Sequence, residues 1–274
     1  MNSLADKTVL NNGVEMPWVG LGVYKVTEGD EVKSAVKSAL KIGYRSIDTA
    51  SFYGNEEGVG QAIAESGIPR EEIFVTSKVW NDEQGYDETL EAFERSRQRL
   101  GLNVLDLYLI HWPVAHTYKE TWRALERLYT EGKVRAIGVS NFLKHHLEEL
   151  LDEAQIIPAV NQIEYHPWLT QPELHRYCHD KGIQLEAWSP LARGKKFDDP
   201  ILSELAEKYD KTPAQILLRW DLQQGVVTIP KSVTESRIKE NANLFDFQLS
   251  EEDMVLLNTC NCELRFGKNP EIFG

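Results

Sequence analysis

The sequence predicts an α/β protein: one closed (β/α)8 (TIM) barrel covering residues 1–274 as a single domain, with a leading β-hairpin and extra helices near the C-terminus. Three observations carry that prediction. Eight short runs rich in β-branched and aromatic residues alternate with stretches whose apolar positions recur every three or four residues. The alternation repeats at about thirty residues, the length of one strand–helix unit with its loops. No stretch rich in Pro, Gly or Ser interrupts it to mark a domain boundary. An open doubly wound sheet is the alternative arrangement of the same units.

The hairpin comes first. Residues 7–10 and 14–16 flank Asn12-Gly13, a pair that tolerates the positive φ angles of a type I′ turn, and the hairpin is expected to plug one end of the barrel. The eight strand runs are 18–23, 45–48, 73–78, 104–111, 134–139, 159–164, 183–189 and 226–230. Helical patterns lie at 30–41, 86–100, 118–131, 143–153 and 171–181, and Gly43, Gly101, Gly132 and Gly182 stand where helices end. Two helical segments, 201–209 and 213–224, precede the last strand, and a tail runs from Leu249.

Composition narrows the function classes. With 42% hydrophobic and 27% charged residues, the chain has the make-up of a packed domain and not of a disordered or collagen-like one. Its formal net charge of -13 repels phosphate backbones and anionic bilayers, so neither nucleic acid nor membrane is an expected partner. The cysteines, Cys178, Cys260 and Cys262, are odd in number and read as thiols of a reducing compartment. No apolar run approaches bilayer length, and the first ten residues lack the apolar core of a secretion signal. These features lead to the expectation of a cytoplasmic protein, and since no obvious exposed apolar stripe demands a partner, a monomer is the default.

In a parallel barrel every strand opens its C-terminal end on the same face, so residues about thirty apart in sequence meet there. The second strand ends in Asp48 and continues to Tyr53, the third ends in Lys78 and the fourth in His111. Singly, each has a structural explanation: a helix cap, a loop aromatic, a solvated strand end, a satisfied core histidine. Together at one mouth they make a proton-transfer site. A phenol has a pKa near 10. An adjacent ammonium, itself held by a carboxylate, favours the phenolate and is expected to lower that value.

These residues and the strings around them resemble the aldo-keto reductase superfamily. Asp48, Tyr53, Lys78 and His111 match its catalytic tetrad in type, order and strand position, within Tyr44-Arg-Ser-Ile-Asp-Thr-Ala and Asp106-Leu-Tyr-Leu-Ile-His-Trp-Pro. The likeness continues through Gly138-Val-Ser-Asn-Phe, Val160-Asn-Gln-Ile-Glu-Tyr-His-Pro, Ala187-Trp-Ser-Pro-Leu and Ile229-Pro-Lys-Ser, nearly the whole chain. Within the superfamily it points to bacterial reductases of glyoxal, methylglyoxal and 2,5-diketogluconate. The resemblance implies reduction of a carbonyl by hydride transfer from NADPH, with Tyr53 as proton donor, Lys78 and Asp48 tuning it, and His111 orienting the carbonyl oxygen.

No Gly-x-Gly-x-x-Gly opens a helix after a strand: Gly20-Leu-Gly22 runs on into Val23-Tyr24, and Gly54, Gly58 and Gly60 have the wrong spacing. A nicotinamide cofactor would need another cradle. Ser140, Asn141 and Gln162 could hydrogen-bond its carboxamide and Trp188 could stack on its ring. Many members of the superfamily have Tyr where this chain has Trp188, so stacking is expected to survive and a phenol hydrogen bond to be lost. Lys231, Ser232, Val233 and Arg237 begin a helical segment that suits a phosphate. By resemblance, Lys231, Ser232 and Arg237 would grip the 2′-phosphate of NADPH, Asn241 would meet the adenine, and Ser189 and Leu191 would lie on the loop over the pyrophosphate.

Short loops after His111 and a short tail leave a mouth framed by Tyr24, Trp80 and Trp112, expected to be open and aromatic and to suit small carbonyls. No metal is expected. His175 and His179 stand four apart without an acidic partner motif, and His145-His146 sits at a helix start. A different class, an NADPH-binding regulatory or redox-sensing subunit with little turnover, keeps the same tetrad. A third, an isomerase or hydrolase using Asp48 and His111, leaves Trp188 and the 231–237 cluster without a purpose.

Overall fold

The computed structural model describes residues 1–273. The antiparallel hairpin of β1 (Lys7–Val9) and β2 (Glu15–Pro17) precedes eight parallel strands. These are β3 (Leu21–Gly22), β4 (Ser46–Asp48), β5 (Phe74–Val79), β6 (Leu105–Ile110), β7 (Val134–Ser140), β8 (Val160–Glu164), β9 (Gln184–Trp188) and β10 (Val227–Thr228), each paired with the next. The sheet closes on itself. The Gly20 amide donates to the Thr228 carbonyl at 3.0 Å, the Thr228 amide to Trp18 at 3.0 Å and the Gly22 amide to Pro230 at 3.2 Å. This is the barrel and not the open alternative. Close approach at the closure is what needs glycine, since a Cβ on Gly22 would lie 2.9 Å from the Ile229 carbonyl oxygen.

Helices follow the strands: α1 (Asp30–Ile42), α2 (Glu56–Ala64), α3 (Tyr86–Leu100), α4 (Tyr118–Thr130), α5 (Lys144–Leu151) and α6 (Pro172–Asp180). Two helices, α7 (Pro200–Tyr209) and α8 (Pro213–Gln223), precede β10, and α9 (Glu235–Ala242), α10 (Glu251–Asn258) and α11 (Pro270–Phe273) follow it. Apolar spacing explains them: α4 buries Tyr118, Trp122, Leu125 and Leu128, positions that share one face of a 3.6-residue period. Local caps fix the ends. Thr212 and Gln215 cap α8 reciprocally with Pro213 in its first turn, and Gly101 ends α3 in the left-handed conformation at φ 63°.

The hairpin plugs the N-terminal end of the barrel, where Leu10 and Met16 join Phe74, Leu107, Leu109, Ala136, Ala159, Val160 and Val227 in one buried cluster. Its turn differs from the type I′ expectation. Only Gly13, at φ 84°, is left-handed, while the Leu10 amide donates to Val14 O at 2.9 Å, making a three-residue loop. Asn11 and Asn12 instead donate their side-chain amides to Pro158 O and Arg135 O, which ties the plug to the barrel rim.

The last strand is braced from behind by Asp221 of α8. Its Oδ2 accepts from Thr228 Oγ1 at 2.8 Å, while Oδ1 is buried without a partner. Burial pushes this carboxyl well above the usual aspartate range. A raised folded-state pKa gives stability that is present below the unfolded pKa and lost as pH rises above it. Asp221→Asn should therefore raise the melting temperature at pH 7 by at least about 2–4 °C. Scanning calorimetry repeated near pH 4 should show the gain gone.

Candidate active site

The floor of the mouth is an enclosed ion pair. Lys78, on β5, has no exposed surface and points its ammonium at Asp48 Oδ1 at 2.7 Å, at the Thr49 carbonyl at 2.9 Å and at the Tyr53 hydroxyl at 3.4 Å. Burial pulls the ammonium down, but Asp48 and Tyr53 outweigh it and leave Lys78 above its ordinary value. Asp48 uses its second oxygen, Oδ2, to accept from Gln162 Nε2 at 2.8 Å. Tyr53 sits in a short 3-10 turn (Ser51–Tyr53) that Gly54 releases into α2 with φ 65°. Asn55 anchors the turn: its amide donates to Val23 O and Val26 O, and its Oδ1 accepts from Thr49 Oγ1.

The electrostatics depart from expectation at Tyr53. Desolvation of its hydroxyl end pushes the phenol up to about 12, and Lys78 pulls the other way without cancelling it. Tyr53 is thus a neutral phenol at physiological pH. His111 is neutral as well, held well below the ordinary histidine range by burial and by Lys78. Its Nδ1 is buried with no partner. An orphan acceptor is more tolerable than an orphan N–H donor, which favours the tautomer that carries its proton on Nε2.

Aromatic rings form a collar above this floor. Tyr24 lies 5.0 Å from Tyr53, Phe52 stacks on Trp80 at 3.7 Å, and Trp80 meets His111 edge-on at 4.9 Å. The collar is less open than expected, because the tail returns across it. Phe273 packs 4.7 Å from Trp112 and 6.3 Å from Trp80. Gln84 fixes Trp112 from below by donating to its carbonyl at 2.7 Å.

From this collar a cavity of about 860 Å³ extends past Trp188 to α9. Ser140, Asn141, Gln162, Trp188, Ser189, Leu191, Lys231, Ser232, Val233, Arg237 and Asn241 all line it, so the structure brings the expected cradle together. Five basic side chains, Lys25, Arg193, Lys231, Arg237 and Lys268, line it against two acidic ones, Asp48 and Glu240. In so acidic a chain this suits a phosphate-bearing ligand. Arg237 lies in the first turn of α9, and Ser232 Oγ accepts the Thr234 amide at 3.2 Å ahead of it.

The short polar groups of the cradle are already committed to one another. Asn141 donates to His111 O and Ser140 Oγ, and Ser140 donates to Gln162 O. Gln162 Nε2 serves two carboxylates, Asp48 and Glu186. Trp188 does make a hydrogen bond, from its indole N–H to Asn141 Oδ1 at 2.8 Å.

Sequence reasoning missed the tail's anchor. Glu164, at the end of β8, accepts the Phe266 amide at 2.7 Å and the Gly267 amide at 3.1 Å, beside His166 at 3.3 Å. Against the cost of its burial, His166 and these amides hold the carboxylate below its usual range. Gly267 then packs on Trp188, where a Cβ would come within 2.2 Å of the indole ring. Periodicity offers no signal for such an anchor.

Two of the histidines set aside earlier, His146 and His175, have structural contacts. His146 Nδ1 accepts the Leu143 amide at 3.1 Å at the start of α5. Glu271 approaches His145 at 3.6 Å, but a metal on His146 would compete for the lone pair that the Leu143 amide uses. His175 Nδ1 faces the Tyr165 hydroxyl at 3.4 Å, while His179 stands exposed on the same helix.

A neutral phenol, a sealed ion pair and a neutral imidazole stand together at the mouth of a parallel barrel, with a basic cleft leading away. A family model described as Aldo/keto reductase family matches residues 19–261. A glyoxal reductase of Bacillus subtilis is 62% identical over 269 residues, 98% of either chain. A 9,11-endoperoxide prostaglandin H2 reductase of Trypanosoma cruzi is 51% identical, over 100% of this chain and 98% of that one. The crystal structure of a mutant of Gox0644 in complex with NADPH superposes with a TM-score of 0.93 at 44% identity, covering 98% of this chain and 99% of that one. The chain belongs to the aldo/keto reductase family. It is an oxidoreductase that uses a nicotinamide cofactor.

The contact between Gly267 and Trp188 makes the tail a wall of the cleft. Gly267→Ala should lift the tail from Glu164 and speed hydrogen exchange of the Phe266 and Gly267 amides by at least about tenfold, or about 1.4 kcal/mol of local stability. Exchange measured by mass spectrometry on the C-terminal peptides checks this, with the hairpin peptides unchanged.

Proposed function

We propose that the protein reduces small aldehydes and α-dicarbonyls such as glyoxal and methylglyoxal to alcohols, with NADPH as reductant. The observation that carries this reading is the sealed Asp48–Lys78–Tyr53 floor at one end of a cleft whose other end is basic. Bound NADPH would supply a hydride to the carbonyl carbon. Tyr53 would give its proton to the oxygen as negative charge develops there, and Lys78 would then stabilise the phenolate left behind. The raised resting value of Tyr53 keeps the proton in place until the oxygen becomes the stronger base. His111 Nε2 would donate to the same oxygen and fix its direction. Asp48 would hold Lys78.

Trp188, framed by Asn141 and the tail, offers a flat apolar face for a nicotinamide ring, and Lys231, Ser232 and Arg237 offer charge to the 2′-phosphate of NADPH. Val233 and Asn241 would border the adenine, with Ser189 and Leu191 over the pyrophosphate. The collar of Phe52, Trp80, Trp112 and Phe273 favours small, flat carbonyls. The Bacillus relative, by its name, acts on such a substrate. The Trypanosoma relative is named for a bulkier one, so selectivity against bulk rests on the collar and not on kinship.

NADPH oxidation followed by absorbance with a panel of carbonyls tests the reading. Tyr53→Phe should lower kcat at least about a hundredfold while NADPH affinity, read by tryptophan fluorescence, stays within about twofold. Arg237→Ala should raise the KM for NADPH at least about tenfold and leave that for NADH nearly unchanged. Methylglyoxal should exceed any 3-ketosteroid in kcat/KM. Negligible turnover with every carbonyl would favour the regulatory alternative.

A further inference from the structure

Directly beneath the proposed site lies a carboxyl group that none of the proposed steps uses. Glu186, on β9, is the register partner of Gln162 on β8 and has no exposed surface. Its Oε2 accepts from Gln162 Nε2 at 2.7 Å, and its Oε1 has no partner. The groups facing it are Asp48 from β4, Lys78 from β5 and Gln162 from β8. Lys78 gives its three donors to Asp48, Thr49 and Tyr53, so Glu186 is a second buried carboxyl that receives none of them. An apolar or amide side chain here would be easier to bury, so the acid weakens the barrel interior where stability alone would choose otherwise.

We propose that Glu186 is a positioning residue that fixes the Gln162 amide, so that only the Gln162 carbonyl oxygen remains to meet the cofactor. With its two N–H groups taken by Asp48 Oδ2 and Glu186 Oε2, Gln162 has no donor left. The amide is held this way round, because if turned over its oxygen would confront the Asp48 carboxylate, which has no proton to give it. It therefore selects the donor side of a carboxamide, the NH2 end of a nicotinamide, and rejects the acceptor side. Glu186 also completes a continuous line to the phenol, from Gln162 through Asp48 and Lys78 to Tyr53, with links of 2.7, 2.8, 2.7 and 3.4 Å. Burial and the neighbouring Asp48 push the Glu186 carboxyl well above the usual carboxylate range.

The inference rests on the NADPH reading above, and its test separates the two. Glu186→Leu removes the acceptor and frees Gln162, whereas Glu186→Gln keeps an oxygen for Gln162 Nε2. NADPH titrations read by tryptophan quenching should show the dissociation constant raised at least about tenfold in the Leu variant and rescued to within about threefold in the Gln variant. In both variants any alkaline step in the NADPH affinity of the parent should vanish.

A second readout needs no cofactor. A group whose folded pKa is raised contributes stability that is present below the unfolded value and lost as pH rises through the folded one. Glu186→Gln, free of ligand, should thus melt higher than the parent at pH 8.5 and equal to it near pH 4, which shows that the barrel is intact. NADPH bound by Glu186→Leu as tightly as by the parent would overturn the inference and leave the NADPH reading standing. A parent protein that failed to bind NADPH at all would overturn both.

Discussion

The Lys78 ammonium is enclosed on every side by the barrel, and an ion that has left water must find its partners inside. Desolvating such a charge costs several kcal/mol, and taking away one partner of a buried pair typically costs about 3–5 kcal/mol. Lys78 has three donors, and Asp48, Thr49 and Tyr53 receive them. That requirement fixes much of what stands around it. Asp48 must end β4 at the height of Lys78, which places Thr49 and the turn that carries Tyr53. The second oxygen of Asp48 must find a donor, which turns Gln162 toward it and commits the amide of a residue on the far side of the barrel.

The same enclosure separates charge along the cleft. Its inner end holds neutral groups, the Tyr53 phenol and the His111 imidazole, around one compensated ion pair. Its outer end holds most of the unpaired positive charge. A chain with net charge -13 thus presents a local basic lip and an uncharged interior. An anionic ligand can be held by its phosphates outside while its reactive part rests in a medium of low polarity, where hydrogen bonds to a developing oxyanion are strongest.

Much of this was legible in the sequence. The eight strand runs, the pair of helices before the last strand and the convergence of Asp48, Tyr53, Lys78 and His111 follow from periodicity and from the rule that strand ends share a face. Helices α2 and α11 did not announce themselves: Gly58 and Gly60 blur the pattern of the first, and the second is a single turn. The turn at Asn12-Gly13 departed from its type because Asn11 and Asn12 bond to the barrel rim and not only to the hairpin. The sign of the Tyr53 shift also lay beyond sequence. Neighbours can be listed from strand order, but the depth of burial that outweighs them is a property of the packed mouth. Glu164, Glu186 and Gly267 act through contacts between segments with no shared pattern, and only assembly reveals them.

The closure of the barrel joins its first and last strands, segments at opposite ends of the barrel sequence, through a few backbone hydrogen bonds around Gly20, Gly22 and Thr228. Such a seam has the highest loop-closure entropy of any strand pairing in the molecule, so it is the pairing that folding should complete late and that thermal breathing should open early. Lys231, which bridges to Gly22 at this seam, also opens the basic segment of the cleft. A ligand seated there touches the staves on both sides of the joint. It would act on the barrel as a hoop does on a cask, adding its binding energy to the resistance of the one joint that the chain itself leaves lightly fastened.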